Sequence, residues 1–175
     1  MCLKYVNATV GVYSSVEMDQ NGNAVSFQGA FDRLMARKDA NGTLIVGGFK
    51  IVTSFNLLGT DKEERVTDCP VQQRKGRLEV QIKLARVTTN ENKKMAMLLD
   101  NFELDLEQLT EENQMKEACF YFLNQRRVTR VGSFELEPGP GPYVIKVEAR
   151  WKRDDGGENP YAVQSLYYLN IVEPF

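Results

Sequence analysis

The chain has 175 residues, of which 42% are apolar and 26% are charged, and this composition suits one soluble domain spanning residues 1–175. Its 22 basic and 24 acidic residues give a net charge of −2, which argues against nucleic acid or an anionic membrane as the main partner, because phosphate binding needs a concentrated basic surface. The chain contains no histidine, and this excludes a Ser-His-Asp triad, a Cys-His pair and the usual histidine-containing zinc sites.

The first part of the chain predicts two strands joined by a hairpin. Residues 3–16 alternate as a strand with one buried face does, with Val6, Ala8, Val10 and Val12 on one side. The Asn21-Gly22 pair that follows favours a tight hairpin turn. Residues 24–36 then predict a strand that bends at Gly29 and ends in a short helical turn over residues 33–36.

The middle of the chain predicts buried strands. Residues 43–59 form its most apolar segment, in which the adjacent glycines Gly47 and Gly48 predict a bulge or a bend. Residues 77–87 show the clearest period of two, with Leu78, Val80, Ile82 and Leu84 facing one way. A polar turn leads into residues 95–106, which are predicted to return as the neighbouring strand.

The last third of the chain contains one ambiguous segment and one sharp corner. Helix-forming residues permit one or two helical turns near residues 109–116, with Thr110 as the N-cap. The sequence PGPGP at residues 138–142 predicts a hairpin corner, because proline lacks a backbone N–H and glycine adopts backbone angles that other residues do not tolerate. The strand that leaves this corner has Tyr143, Ile145, Val147 and Ala149 on one face, and residues 163–172 form the final strand.

These elements together predict the fold class. Eight or nine short strands separated by turn signals, with few helices, are typical of two packed sheets. The predicted fold is therefore an all-β, antiparallel β-sandwich of Ig-like or C2-like type, with one or two short helical turns.

The closing strands resemble the hairpin that ends many Ig-like sandwiches, since Gly141, Tyr143 and Val147 match its G-x-Y-x-h-x-V pattern. Together with an earlier segment, these residues also resemble a family of small bacterial proteins of unknown function with an Ig-like β-sandwich. The earlier matched residues are Gly22, Gly29, Phe31, Asp32 and Leu34. The resemblance covers about a third of the chain. It implies the sandwich fold, and it implies no functional residue, because the family offers no known activity.

Carboxylates remain as the plausible catalytic or metal-binding groups. Six of them lie between Asp100 and Glu112. If this stretch is a strand, Glu103, Asp105 and Glu107 share a face, and the favoured interpretation is a solvated face with the intervening residues Phe102, Leu104 and Leu106 turned inward.

The nearest approach to a Ca²⁺ site is the loop that carries Asp154, Asp155, Glu158 and Asn159. One loop alone supplies a poor ligand set, and the EF-hand pattern is absent, so a plain surface loop is the favoured interpretation. The sequence thus predicts no metal site, no cofactor and no catalytic residue.

Three other groups of residues have a simple structural interpretation. Arginine forks suit phosphate or carboxylate, but Arg126, Arg127 and Arg130 are expected to neutralise the acidic stretch. Aromatic residues at alternating strand positions are usually core residues rather than a sugar-stacking platform, and this applies to Trp151, Tyr161, Tyr167 and Tyr168. The cysteines Cys2, Cys69 and Cys119 form neither a metal spacing nor a disulfide framework, and Cys119 is expected to act as a small hydrophobe.

The sequence contains no stretch near the ~20 apolar residues of a membrane span and no signal-peptide pattern. It predicts a non-enzymatic protein-binding or assembly module in the cytoplasm, of bacterial or phage origin. The expected partner is another protein or a second copy joined through a sheet edge, with no nucleic acid and no membrane. A sandwich that binds Ca²⁺ or carbohydrate, a viral or phage structural protein, and lastly a hydrolase with two carboxylates remain as alternatives.

Overall fold

The computed structural model describes residues 2–20, 24–60, 77–88, 96–105, 115–117, 120–137, 139–152 and 161–173. These residues form twelve β-strands and no helix, so none of them belongs to a helix that is long and apolar enough to cross a membrane. The strands are β1 (Cys2–Met18), β2 (Ala24–Ala30), β3 (Arg33–Lys38), β4 (Leu44–Val46), β5 (Phe49–Thr60), β6 (Arg77–Arg86), β7 (Ala96–Asp105), β8 (Met115–Glu117), β9 (Phe120–Val131), β10 (Phe134–Glu135), β11 (Gly141–Trp151) and β12 (Tyr161–Val172).

The strands form two sheets. One has five strands in the order β2-β1-β5-β9-β8, and the other has seven in the order β10-β4-β3-β12-β11-β6-β7. The prediction of an all-β architecture of two packed sheets is confirmed. The sheets are mostly antiparallel, as predicted; among the described strands, β3 and β12 run parallel, with Arg33 beside Asn170 and Met35 beside Val172.

The core lies between the two sheets and follows the period of two within each strand. The four alternating apolar residues predicted on β6 and the four on β11 are all buried, which confirms both predicted faces. Opposite them, the five-stranded sheet contributes Val12, Ile51 and Phe55, which have no exposed surface. All of these side chains belong to a single apolar cluster.

Two neighbouring strands bend together from one sheet into the other. Val46 of β4 pairs with Phe134 of β10 in the seven-stranded sheet, whereas Phe49 of β5 pairs with Val131 of β9 in the five-stranded sheet. Gly47-Gly48 therefore lies at a corner where strands switch sheets, a common place for glycine. The predicted bend is confirmed, and the apolar segment predicted as one strand is two strands in different sheets.

The chain also crosses between the sheets after β2. Gly29 within β2 has a φ of 64°, a left-handed angle that favours glycine, at the position predicted to bend. The crossing is fixed at both ends by backbone hydrogen bonds, since the Phe31 N–H donates to the Val12 carbonyl at 3.2 Å and the Asn170 N–H donates to the Asp32 carbonyl at 2.7 Å.

The helical turn predicted over residues 33–36 is wrong, because these residues belong to strand β3. Residues 33–35 pair with β12 and residues 36–38 pair with β4, and Ala36 is fully buried. Tertiary contacts thus override the helix propensity of this leucine-, methionine- and alanine-containing stretch. Of the second predicted helical region, residues 109–114 lie outside the described residues, while Met115 and Lys116 belong to strand β8.

The hairpin corner predicted at residues 138–142 is wrong, because the segment that enters β11 is a crossover. It connects β10 with β11, and three strands separate these two in the same sheet. Its backbone needs glycine, because Gly139 and Gly141 have φ values of 114° and 145°. The Tyr143 hydroxyl donates to the Gly139 carbonyl at 2.6 Å, and burial, partly offset by the charge of Arg86, raises the pKa of Tyr143.

Gly141→Val is expected to lower the free energy of unfolding by about 1 kcal/mol, because the left-handed φ strains any residue with a Cβ. The new Cβ would also lie 3.3 Å from an Arg86 nitrogen, and Arg86 holds the Pro140 carbonyl at 3.1 Å. Urea unfolding measures the effect. Gly132→Val is the matched control, since Gly132 has open space and no left-handed φ, and equal unfolding midpoints for the two variants would contradict the prediction.

Candidate protein-binding face

The outward face of the seven-stranded sheet is set by the strand register. Because β6, β11 and β12 bury one parity of residues in the core, the other parity points outward. Cross-strand pairing then places two outward rows across four adjacent strands. One row contains Ala96, Ala85, Val144 and Tyr168, and the next contains Leu98, Lys83, Lys146 and Leu166.

Large apolar side chains on this sheet are exposed to solvent. Tyr168 is 66% exposed, Leu98 55% and Leu166 46%. Met35 on β3 and Val87 at the end of β6 extend the same surface, so this sheet holds five of the seven exposed large hydrophobic residues among the described ones. The solvated face of an antiparallel sheet is normally polar, and contiguous exposed apolar patches mark interaction sites. We call this surface the apolar face; it comprises Met35, Val87, Leu98, Val144, Leu166 and Tyr168.

A buried ion-pair cluster lies beside the apolar face. Glu148 is only 5% exposed, and its carboxylate accepts hydrogen bonds from the ammonium groups of Lys83, at 3.3 Å, and Lys146. Burial by itself raises the pKa of Glu148, but the hydrogen bonds and charges of the two lysines outweigh burial, and the pKa lies below its ordinary value of 4.5. The cluster therefore keeps a negative charge fixed at the centre of the sheet.

Glu148→Gln is expected to make the free energy of unfolding less dependent on pH in the acidic range. A carboxyl whose pKa is lower in the folded state binds more protons when unfolded, so its stabilising effect is present above pH 4.5 and is lost as the pH falls through the folded pKa. The difference in unfolding free energy between wild type and variant should thus shrink from pH 7 to pH 3 in urea titrations. Glu135→Gln on β10 controls for the loss of one charge, and a difference that stays constant with pH would contradict the prediction.

A polar pocket of about 250 Å³ adjoins this cluster, with Glu79, Gln81, Glu148 and Arg150 in its lining. Glu79 and Glu148 place two carboxylates at one pocket, as the hydrolase alternative requires. A general acid needs a raised pKa, however, and the pKa of Glu148 is lowered. The geometry favours a structural role for Glu148.

The predicted acidic stretch is a strand as far as Asp105, and its carboxylates face separate partners. Asp100 accepts hydrogen bonds from Thr129 at 2.7 Å and from the Arg127 guanidinium at 3.3 Å, so the expected role of Arg127 is confirmed. Glu103 pairs with Lys152, and Asp105 lies 3.6 Å from Arg77. Leu104 is buried and Glu103 exposed, as predicted. Glu107, Glu111 and Glu112 lie outside the described residues.

The described part of the chain contains no group of three acidic, cysteine or histidine residues that could hold a metal ion. The loop with Asp154, Asp155, Glu158 and Asn159 lies outside the described residues, so the interpretation of that loop stays a prediction. Cys69 and Cys119 also lie outside them.

The predicted aromatic core residues divide between the two faces. Trp151 is buried, and the half-buried Tyr167 donates its hydroxyl to the Phe31 carbonyl at 2.8 Å. Tyr168 points the opposite way and is exposed, while the side chain of Tyr161 is not among those described. Sequence reasoning missed Tyr168 as a surface residue. The sequence of β12 could have indicated an exposed apolar residue, because apolar side chains occur on both faces of the strand. Leu166 and Tyr168 lie on one face, and Tyr167 and Leu169 lie on the other.

Comparisons with protein-family models, with curated proteins and with solved structures found no match to this chain. The resemblance to an Ig-like bacterial family therefore stays a prediction.

Proposed function

We propose that this chain is a non-enzymatic assembly module that associates with a second copy of itself through the apolar face. The observation that carries the proposal is the exposure of Tyr168, Leu98 and Leu166 on one sheet surface. Burying these side chains against a partner removes apolar surface from water, which is worth roughly 25 cal/mol for each Å².

The size of the face suits a dimer. Strands lie about 4.8 Å apart and rise about 3.3 Å per residue, so four strands of ten residues and the six-residue β3 cover about 700 Å². A standard protein interface buries roughly 800 Å² on each partner. The stretch from β3 to β7 spans five strands, with Met35 at one end and Leu98 at the other.

The charges on this face also favour a second copy. Lys83 and Lys146 lie beside Glu148, and the neighbouring outward row carries Arg150, Glu79 and Glu103. A two-fold interface brings the same patch together from both subunits and therefore must be complementary to itself, which charges of both signs between apolar side chains allow. A surface with one sign of charge would repel its own copy.

The face suits assembly better than the sheet edge expected from the sequence. Edge strand β7 carries a register shift opposite Ile82 and Lys83, and its Asp100 points inward. Bulges and inward charges are features by which natural edge strands resist pairing with another chain.

We also propose the fold type, domain extent, location and origin that the sequence predicts. They are an Ig-like or C2-like sandwich in one domain over residues 1–175, a cytoplasmic location and a bacterial or phage origin. An open groove of about 530 Å³ lies beside Phe31, Leu34 and Ile45, and Arg37 is the titratable side chain among its described lining residues. One cation supplies no general acid and base pair.

The native mass in solution tests the proposal. Wild-type protein should have twice the chain mass of 19.9 kDa in light scattering after gel filtration, and Tyr168→Glu should shift it to the single-chain mass. Met18→Glu is the matched control, because Met18 is 41% exposed but lies on β1 of the other sheet. A wild-type monomer at high micromolar concentration, or equal dissociation of both variants, would overturn self-association through this face.

A further inference from the structure

The outer face of the five-stranded sheet carries a second apolar cluster, separate from the core. Val52 lies between the buried, core-facing Ile51 and Thr53, so strand alternation places it on the outer face. It packs there with Val16, Tyr13 and Val128. Most of this small cluster is buried or half-buried, and it forms an apolar floor on the outer surface.

Cations lie on both sides of this floor. Strand pairing gives three outward rows across β1, β5 and β9. The first row is Tyr13, Lys50 and Arg130; the second is Gly11, Val52 and Val128; the third is Thr9, Ser54 and Arg126. Phe27 of β2 borders the rows, with its ring centroid 5.1 Å from that of Tyr13 and 5.6 Å from the Arg126 guanidinium carbon.

Lys50 and Arg130 are direct cross-strand partners, and both are cations. Like charges at opposite positions of a strand pair destabilise the sheet. Among the described residues, neither of these two side chains forms an ion pair, and the Lys50 ammonium is 3.4 Å from the Val16 carbonyl. No carboxylate in the described part of the chain compensates this pair, a pattern expected where stability is given up for binding.

The whole sheet is basic although the chain is not. Its five strands contain two acidic residues, Glu17 and Glu117, and six basic ones, namely Lys4, Lys50, Lys116, Arg126, Arg127 and Arg130. The net charge of −2 therefore arises from residues outside this sheet. Of the six basic residues, Lys50, Arg126 and Arg130 lie in the outward rows described above, and such a cluster of cations on an acidic protein favours an anionic partner.

We propose that this face binds an extended acidic segment of a partner protein that lies along β9. Arg126 and Arg130 are four residues apart, which is about 13 Å in a strand. An extended peptide spans the same distance between positions i and i+4, so two of its carboxylates meet the two arginines. The side chain at position i+2 then lies over Val128 and Val52, where an apolar residue fits. The face recognises the pattern acid-x-apolar-x-acid, independently of any self-association through the opposite sheet.

The probe is a fluorescein-labelled peptide of about ten residues with two copies of Glu-x-Leu-x-Glu, titrated with protein in fluorescence anisotropy. Wild type should bind it, and the affinity should fall as salt rises, since exposed charges are screened. A peptide with glutamine in place of each glutamate should bind at least tenfold more weakly. Absence of binding at low salt, or equal binding of both peptides, overturns the proposal.

Arg130→Glu and Arg37→Glu make the same charge change on opposite sheets. Arg130→Glu should weaken binding of the acidic peptide at least tenfold and should raise the melting temperature, because Lys50 would then face a carboxylate instead of a guanidinium. Arg37→Glu should leave binding within twofold of wild type. Equal losses of peptide affinity in both variants would mean that binding depends on the net charge of the protein and not on this face. Tighter binding of an oligothymidylate than of the peptide would indicate a nucleic-acid face. Either result overturns the proposal.

Discussion

Phe55→Ala should lower the free energy of unfolding by about 4 kcal/mol, the largest effect expected of a single core substitution in this chain. Phe55 has no exposed surface and lies at the centre of the core, with its ring edge-on to Phe102 at a centroid distance of 6.3 Å. The substitution removes this contact and leaves a cavity between the sheets. Urea unfolding followed by circular dichroism at a fixed protein concentration measures the loss.

Phe27→Ala provides the matched control for that experiment. Phe27 belongs to the same sheet but is 36% exposed, and its main contacts are one aromatic ring and one guanidinium. Its removal should cost clearly less than that of Phe55, since Phe27 is partly exposed and lies outside the core, so no closed cavity forms between the sheets. Comparable losses for Phe55→Ala and Phe27→Ala would contradict a core centred on Phe55.

Gly48→Ala should lower the free energy of unfolding by about 2 kcal/mol, within the range found for overpacked sites. A Cβ at Gly48 would lie 2.9 Å from the Val131 carbonyl oxygen, closer than real Cβ atoms approach. That oxygen belongs to the backbone of β9, at the end of its pairing with β5, so it moves only if the corner between the sheets opens. Thermal and urea unfolding both report the change.

The adjacent glycine, Gly47, provides the matched control for Gly48→Ala. Gly47→Ala introduces the same methyl group one residue earlier, where no atom lies within 4 Å and no left-handed φ is required. Its effect should stay within about 0.5 kcal/mol, as for most surface substitutions. If both alanine variants unfold at the same urea concentration, the close approach at Gly48 does not limit the packing of the corner.

The two proposed surfaces are compatible with one another. They are the outer faces of two sheets packed on a common core, so they point in opposite directions. A dimer formed through the apolar face leaves Lys50 and Arg130 of each copy accessible to an acidic partner. Two peptide sites on one dimer would then act together, and a partner with two acidic segments would bind more tightly than one with a single segment.

The sequence by itself determined most of the strands and the buried faces of β6 and β11. The alternation on β6 and β11 predicted eight buried residues correctly, because the period of two is a local property of each strand. The glycines at 29 and 47–48 likewise identified the bends, since the backbone freedom of glycine is intrinsic to the residue.

Only the tertiary structure decided how those strands are joined. Residues 33–36 are a strand because β12 and β4 pair with them, and the segment that leads from β10 into β11 is a crossover because β11 pairs with β12 and β6 and not with β10. The candidate surfaces depend on the same information. Lys50 and Arg130 are 80 positions apart in the sequence, and their opposition follows from the register of β5 against β9. Pairing register is a property of two distant segments at once, so local patterning specified the strands and long-range pairing specified the sites.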